Sequence, residues 1–175
     1  MENKQYKDNM NKTEQIIKRS VDFVIAACCL IFFSPLAIAC AIAIRLEDGL
    51  PVIYSQERIG LHGKPFFIYK FRSMKIDAEK DGPDLLEIKG DPRLTKVGRF
   101  LRMHHLDELP QLWNVFKGDM AFVGPRPERK FYIDQIMEHD PRYTYLYQIR
   151  PGVTSYATLY NGCLLYTSDA ADDKA

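Results

Sequence analysis

The feature that most constrains this chain is a run of 22 residues without a charged side chain, from Phe23 to Ile44. A helix needs about 20 mostly apolar residues to cross the hydrocarbon core of a bilayer. The run is too long for a signal peptide and lacks a convincing cleavage site. We therefore predict a membrane helix over residues 18–45, preceded by a tail at residues 1–17.

Two topologies are compatible with this helix. Lys18 and Arg19 precede the run, so the positive-inside tendency places its N-terminus in the cytosol, and a simple span would put the rest of the chain outside. Ser34-Pro35 lies in the middle, where a proline removes one backbone N–H and clashes with the preceding turn. The helix could thus bend back to its starting face. From the residues alone we favour a gently kinked span over this re-entrant hairpin.

The composition of the whole chain is that of a globular protein. Lys and Arg total 24 against 23 Asp and Glu, a formal net charge of +1, which gives no basic field for a nucleic-acid partner. Residues 163–175, CLLYTSDAADDKA, resemble a translated sequencing adaptor, and we set them aside as an artefact. One soluble domain is then expected over residues 46–162.

A β-hairpin is predicted where that domain begins. Residues 52–56 and 66–72 are rich in β-branched and aromatic side chains and flank a turn-rich stretch. Period-two alternation puts Lys70 and Arg72 on one strand face, where they could converge on an anion or simply face solvent. A polar loop is expected over residues 77–90.

Asp91-Pro92 then predicts the start of a helix. Four cations recur along it at intervals of three: Arg93, Lys96, Arg99 and Arg102. Such a stripe could rest on anionic lipid headgroups, each cation contributing about 1 kcal/mol near the surface, or could be a solvated helix face.

Two histidines and two acids follow in His104-His105-Leu106-Asp107-Glu108. Neighbours on a helix point about 100° apart, so neither pair provides the i, i+4 ligand set of a zinc protease. A carboxylate near a helix N-terminus is the better interpretation, because the helix dipole keeps it ionised and able to act as a nucleophile or to bind Mg²⁺.

A candidate phosphate site follows in Pro125-Arg126-Pro127. The two prolines fix the backbone on both sides of the arginine, and Pro127 can begin a helix predicted over residues 128–137. A rigid guanidinium beside a helix start suits a phosphate group, although Pro-Arg-Pro also occurs in ordinary loops.

Several motifs occur together, in unbroken order, between residues 18 and 162. They are Lys18-Arg19-Ser20-Val21-Asp22, Ser34-Pro35, Lys70-Phe71-Arg72-Ser73-Met74, Leu106-Asp107-Glu108-Leu109-Pro110-Gln111-Leu112-Trp113-Asn114 and Val123-Gly124-Pro125-Arg126-Pro127. In these motifs the chain resembles the bacterial sugar transferase family, the monotopic polyprenyl-phosphate phosphoglycosyl transferases. One departure is His104-His105, where relatives commonly carry Thr-Ser.

The resemblance implies a reaction and a fold. Members move a sugar 1-phosphate from a UDP-sugar to undecaprenyl phosphate and release UMP, which initiates assembly of O-antigen, capsule, exopolysaccharide or glycoprotein glycans. The implied fold is α+β and mainly helical, with a re-entrant membrane helix bent at Ser34-Pro35 and a small cytosolic catalytic domain at the bacterial inner membrane. This topology reverses the preference drawn from the residues alone. The family continues past Gly162, so we expect this chain to be C-terminally truncated.

The resemblance also implies residue roles. Asp107 would be the nucleophile that forms a covalent phosphosugar intermediate, and Glu108 would orient the site or support Mg²⁺, the expected cofactor, for which both acids are candidate ligands. Arg126 would be the main phosphate clamp. The further phosphate-binding candidates are Lys70, Arg72 and Arg129.

Two other function classes stay open. One is a non-catalytic membrane-anchored interaction module or inactive truncated fragment, against which the intact Asp107, Glu108 and Arg126 argue. The other is a single-pass glycosyltransferase that uses a metal-bound nucleotide sugar, but no Asp-x-Asp element follows a predicted strand. UMP release separates these cases, because an ordinary glycosyltransferase would release UDP.

Overall fold

The computed structural model describes residues 10–76, 78, 91–139, 143 and 147–155, and it mixes helices with short strands, as predicted. The elements in chain order are α1 (Lys12–Asp48), β1 (Ile53–Ile59), β2 (Pro65–Phe71), α2 (Lys96–Met103), α3 (Gln111–Lys117), β3 (Ala121–Val123), α4 (Lys130–His139) and β4 (Gly152–Thr154). Single 3-10 turns occur at Leu61–Gly63 and Leu106–Glu108.

Helix α1 contains the whole uncharged run and is long enough and apolar enough to cross a membrane. Large apolar side chains along it stay uncovered, with Ile31 76% and Phe32 77% exposed. Ser34 and Pro35 lie inside this helix, so the proline does not divide it into two elements. The re-entrant bend in a bilayer stays a prediction.

The described residues form two compact units. The first unit takes its residues from 10–31, 55–68 and 111–155, and the second from 32–54, 69–78 and 91–110. Helix α1 and the β1–β2 hairpin contribute residues to both units.

The first unit is organised around a core of Ala26, Ile68, Val115 and Met120. Beside it, β3 and β4 pair in parallel, with Ala121 opposite Gly152 and Val123 opposite Thr154. The sequence did not predict this sheet, since each strand has only three residues and the partners are far apart in the chain.

The second unit has its own core, formed by Cys40 and Ile44 of α1, Phe71 of β2 and Leu101 of α2. Leu106 and Leu109, on either side of the second 3-10 turn, pack against it. The core therefore fixes the place of the segment that carries the two adjacent acids.

The hairpin prediction is confirmed, with β1 extending beyond the predicted strand to Ile59. The predicted helix start at Asp91-Pro92 is wrong, because α2 begins at Lys96 after its N-cap Thr95. Arg93 consequently lies outside the helix on which the basic stripe was placed. Of the loop expected over residues 77–90, all but Ala78 lies outside the described residues.

The predicted helix over residues 128–137 is displaced, since α4 begins at Lys130 and ends at His139. The reason lies in the backbone of Glu128, whose carbonyl accepts the N–H of Ile59 at 3.1 Å. That contact fixes Glu128 against the end of β1.

Candidate active site

The acids Asp107 and Glu108 lie on the second 3-10 turn, in the second unit. His105, in the left-handed conformation with φ 54°, redirects the chain between α2 and this turn. The leucines before and after the acids are held by the core, so the turn cannot shift without disturbing apolar packing. Asp107 is only 6% exposed, whereas Glu108 is partly exposed.

Lys70 of β2 meets this acid pair directly. Its Nζ donates to Oε1 of Glu108 at 2.8 Å, with about a quarter of each side chain exposed. A partly buried ion pair of this length is charge-assisted and restricts both side chains. The structure thus joins two of the candidate site residues, and the assignment of Lys70 as a phosphate ligand stays a prediction.

The environment of Asp107 disfavours the charged form of its side chain. Burial raises the pKa of its carboxyl group, while the cations Lys70 and Arg102 lower it and the neighbouring Glu108 raises it, leaving the pKa above its ordinary value. A carboxylate stripped of water in this way is a better nucleophile, and it also favours an added positive charge nearby.

Arg102, at the end of α2, is a member of this site that sequence reasoning assigned to a surface stripe. Its Nε donates to Oγ of Ser73 at 2.9 Å, and its charge acts on Asp107. The helical period could not show this role, because Ser73 follows β2 and lies 29 residues away in the chain.

Arg72 is placed differently from Lys70, because β2 ends at Phe71 and Arg72 follows the strand that was predicted to contain both. Its Nη2 donates to the carbonyl oxygens of Asp48 and Gly49 at 2.8 and 3.0 Å, at the end of α1. The side chain is 7% exposed. Its assignment as a phosphate ligand stays a prediction.

Arg126 and Arg129 belong to the first unit, where Arg126 is exposed and Arg129 is partly buried. The loop around Arg126 is held by backbone bonds, from the N–H of Gly124 to the carbonyl of Thr154 at 3.0 Å and from the N–H of Gly152 to that of Pro125 at 2.8 Å. A Cβ added to Gly124 would lie 2.2 Å from the Arg150 carbonyl oxygen, so this position requires glycine. The loop presents its arginine from a fixed backbone, as its prolines suggested.

The acid pair can be tested for its fit to Mg²⁺. This ion binds through one or two carboxylates and completes its shell with water and substrate phosphates. Within the described ranges, no group of three or more His, Cys, Asp or Glu side chains comes together as a metal cage. Two adjacent carboxylates, one of them buried and with a raised pKa, fit a Mg²⁺ ion that shares its remaining ligands with a phosphate substrate.

Comparisons with known proteins agree on one family. A family model described as bacterial sugar transferase matches residues 13–171, a range that reaches into the segment we set aside at residues 163–175. That segment lies outside the described residues.

Named relatives carry enzyme activities on different sugars. The chain is 42% identical over 158 residues to a UDP-N-acetylgalactosamine-undecaprenyl-phosphate N-acetylgalactosaminephosphotransferase of Aeromonas hydrophila, covering 90% of this chain and 36% of that protein. It is 46% identical over 141 residues to a UDP-glucose:undecaprenyl-phosphate glucose-1-phosphate transferase of Caulobacter vibrioides, covering 80% and 52%. It is 40% identical over 157 residues to an undecaprenyl-phosphate galactose phosphotransferase of Salmonella typhimurium, covering 82% and 32%. The chain spans about a third to a half of the length of these relatives.

Proposed function

The chain belongs to the bacterial sugar transferase family, and on that premise we propose that it transfers a sugar 1-phosphate from a UDP-sugar to undecaprenyl phosphate and releases UMP. The observation that carries the proposal is the buried Asp107 beside the Lys70–Glu108 ion pair. It provides a poorly solvated carboxylate oxygen next to fixed positive charge, which suits an attack on the β-phosphorus of a nucleoside diphosphate.

In the first step, a carboxylate oxygen of Asp107 attacks the β-phosphorus of the UDP-sugar. The bond from that phosphorus to the oxygen bridging the two phosphates breaks, and UMP leaves with the bonding electrons. The sugar phosphate stays on Asp107 as an acyl phosphate. Lys70 and Arg102 supply positive charge near Asp107 as one anion approaches another.

In the second step, a phosphate oxygen of undecaprenyl phosphate attacks the phosphorus held on Asp107. The bond between that phosphorus and the carboxylate oxygen of Asp107 breaks, and the carboxylate leaves with the bonding electrons and is regenerated. The product is an undecaprenyl diphosphate sugar. Two successive displacements at one phosphorus predict ping-pong kinetics, with UMP released before the lipid binds.

Asp107 and Glu108 would hold the Mg²⁺ ion together with phosphate oxygens of the substrate. The ion would supply a positive charge that offsets the charge of the phosphates. In its absence Glu108 is already oriented by Lys70, so the chain's own contribution is to keep this carboxylate from turning into solvent.

The lipid substrate requires contact with a membrane, and α1 provides the apolar surface for it. We place the helix in the bacterial inner membrane, with both of its ends on the cytosolic face where UDP-sugars are available. Cysteine probes introduced at positions 5 and 80 should then react from the same side in intact cells. Labelling from opposite sides would contradict the re-entrant topology.

The reaction is tested by incubating the chain, in liposomes, with undecaprenyl phosphate, Mg²⁺ and each of a panel of UDP-sugars. We expect UMP release with one or a few of the sugars. UDP release instead would indicate an ordinary glycosyltransferase, and binding of the lipid without release of either nucleotide would indicate an interaction module. Either result contradicts the proposal.

A further inference from the structure

The last residues of α1 are bound by the start of α2 and by Arg72, which follows β2, all within the second unit. One contact involves Glu47, whose Oε1 and Oε2 accept the backbone N–H groups of Lys96 and Val97, each at 2.8 Å. The first N–H groups of a helix have no partner within it, and an anion at this end is favourable. A side chain of α1 thus serves as an additional cap for α2, beside the N-cap Thr95.

These hydrogen bonds change the pKa of Glu47. Desolvation raises the pKa of this exposed carboxyl group, but the N–H groups of Val97 and Lys96, the Thr95 side chain and the charge of Lys96 together hold the pKa below its ordinary value. The carboxylate form is therefore the one that suits this position.

The second contact involves Arg72, which binds the carbonyl oxygens of Asp48 and Gly49 where α1 ends. Its Nη2 also lies 3.2 Å from Oδ2 of Asp48. Within the part of the chain that the structure describes, the Nε and Nη1 atoms of this guanidinium are buried and have no hydrogen-bond partner. The contacts of Arg72 are therefore made through Nη2, at the end of α1.

Each of the two contacts is connected to the acid pair through a neighbouring residue of the same segment. Lys70 of β2, two residues before Arg72, holds Glu108. Helix α2, capped by Glu47, ends in the segment with Arg102, which binds Ser73 and acts on Asp107.

Apolar packing links the same parts. Ile44 of α1, Leu101 of α2 and Leu106 beside the acids belong to one core cluster. Because close-packed interiors transmit strain, we expect a displacement at the end of α1 to be passed on to the segment that carries the acids.

We infer that Glu47 and Arg72 are positioning residues, which fix the Asp107–Glu108 pair relative to the C-terminal end of α1. The inference rests on the proposed function for its kinetic consequences. Neither side chain contacts the acids, and each acts through the element that it holds. A shift of about 1 Å in a reacting group can cost about a hundredfold in rate, so a small loosening of either contact should be measurable.

The kinetic test separates positioning from folding. In a rapid-mixing experiment with a UDP-sugar alone, the amplitude of the UMP burst counts functional molecules, and its rate constant reports the geometry of the attack by Asp107. We expect Glu47→Ala to lower the rate constant about tenfold at unchanged amplitude. Glu47→Gln should be intermediate, because its amide has one acceptor oxygen, and Arg72→Lys should fall less than Arg72→Gln. The control is Glu57→Gln, which alters an exposed carboxylate on β1.

A reduced amplitude with an unchanged rate constant in Glu47→Ala and Arg72→Gln would overturn the inference, since it would show a purely structural role. A second measurement does not need activity. Hydrogen exchange at the backbone N–H groups of Glu108 and Leu109, which bond within the 3-10 turn, should accelerate in Glu47→Ala and stay unchanged in Glu57→Gln. If the unmodified chain gives no UMP burst, the proposed function fails, and this exchange alone decides the positioning role. Unchanged exchange would then overturn it.

Discussion

The two units hold their candidate functional residues by different means. In the second unit, Asp107 and Glu108 depend on side chains, namely the Lys70 ion pair, the charge of Arg102 and an apolar core. In the first unit, Arg126 lies on a loop that is fixed by backbone hydrogen bonds and by the parallel strands β3 and β4. Gly124 lets the backbone of this loop come close to Arg150 and Gly152.

The difference predicts how each region responds to substitution. A site made of side-chain charges loses activity when a charge is removed but keeps its fold, because the core supplies most of the stability. A loop fixed by its backbone is insensitive to many side-chain changes and loses stability when a Cβ is added. The experiments below test this contrast, beginning with the largest expected effect.

Asp107, the proposed nucleophile, should be indispensable. Asp107→Asn keeps the shape of the side chain and removes the attacking anion, so turnover and protein-bound phosphosugar should both disappear, with a loss of at least about 10³-fold. Glu108→Gln should slow turnover strongly but leave some labelled protein, because the attacking carboxylate remains. Radiolabel from the UDP-sugar, retained on denatured protein, measures the intermediate. Label kept by Asp107→Asn and lost by Glu108→Gln would mean that the two roles are reversed.

Lys70 should contribute to turnover through its positive charge and through a side chain long enough to reach Glu108. Lys70→Met removes the cation at 2.8 Å from Glu108, and we expect turnover to fall about 10- to 100-fold while the melting temperature changes little. Lys70→Arg should retain more activity than Lys70→Met. The control is Lys64→Met, at an exposed position after the hairpin turn. Equal activity in Lys64→Met and Lys70→Met would show that Lys70 takes no part in the site.

Gly124→Ala should show the opposite pattern in the first unit. The added methyl group would meet the Arg150 carbonyl oxygen at 2.2 Å and the Gly152 nitrogen at 2.8 Å, so a strand must move. We expect a loss of about 2–3 kcal/mol in the free energy of unfolding. The control Gly63→Ala, at φ +71° in open space, carries only backbone strain and should cost about 1 kcal/mol. Denaturation in detergent measures both, and equal losses would contradict the steric account.

Local patterns accounted for the hairpin, which lies in one contiguous segment. The acids were expected near a helix N-terminus that keeps a carboxylate ionised, but they lie on a 3-10 turn before α3, and burial raises the pKa of Asp107. Strand alternation left Lys70 open between an anion site and a solvated face and could not identify Glu108, 38 residues away, as its partner. The short strands β3 and β4 escaped prediction because their pairing is entirely non-local.

The error at Asp91 has a local physical cause. The pair Asp91-Pro92 fits a turn as well as a helix start, and the carboxylate accepts the N–H of Arg93, two residues on, at 2.9 Å. The pattern alone does not separate these options. The contacts of Glu47 and Arg72 with the helix ends were inaccessible for another reason, because they depend on how α1 packs after folding.

The smallest effect should come from Asp91 itself, and it depends on pH. Hydrogen bonds from the Arg93 side chain hold the pKa of the Asp91 carboxyl group below its ordinary value, against the opposing effect of burial. Because the folded pKa is lower than the unfolded one, the stabilisation is complete above the unfolded pKa of about 4 and is lost as pH falls through the folded pKa. Asp91→Asn should therefore lower the melting temperature near pH 7, by the equivalent of about 1–2 kcal/mol, and the difference should shrink below pH 4.

Asp134→Asn is the matched control for this prediction. It breaks an ion pair in which the side chains of Asp134 and Lys130 are 59% and 69% exposed, and it should cost no more than about 0.5 kcal/mol. A difference for Asp91→Asn that persists unchanged to pH 2 would mean that the aspartate stabilises the second unit through its shape rather than its charge.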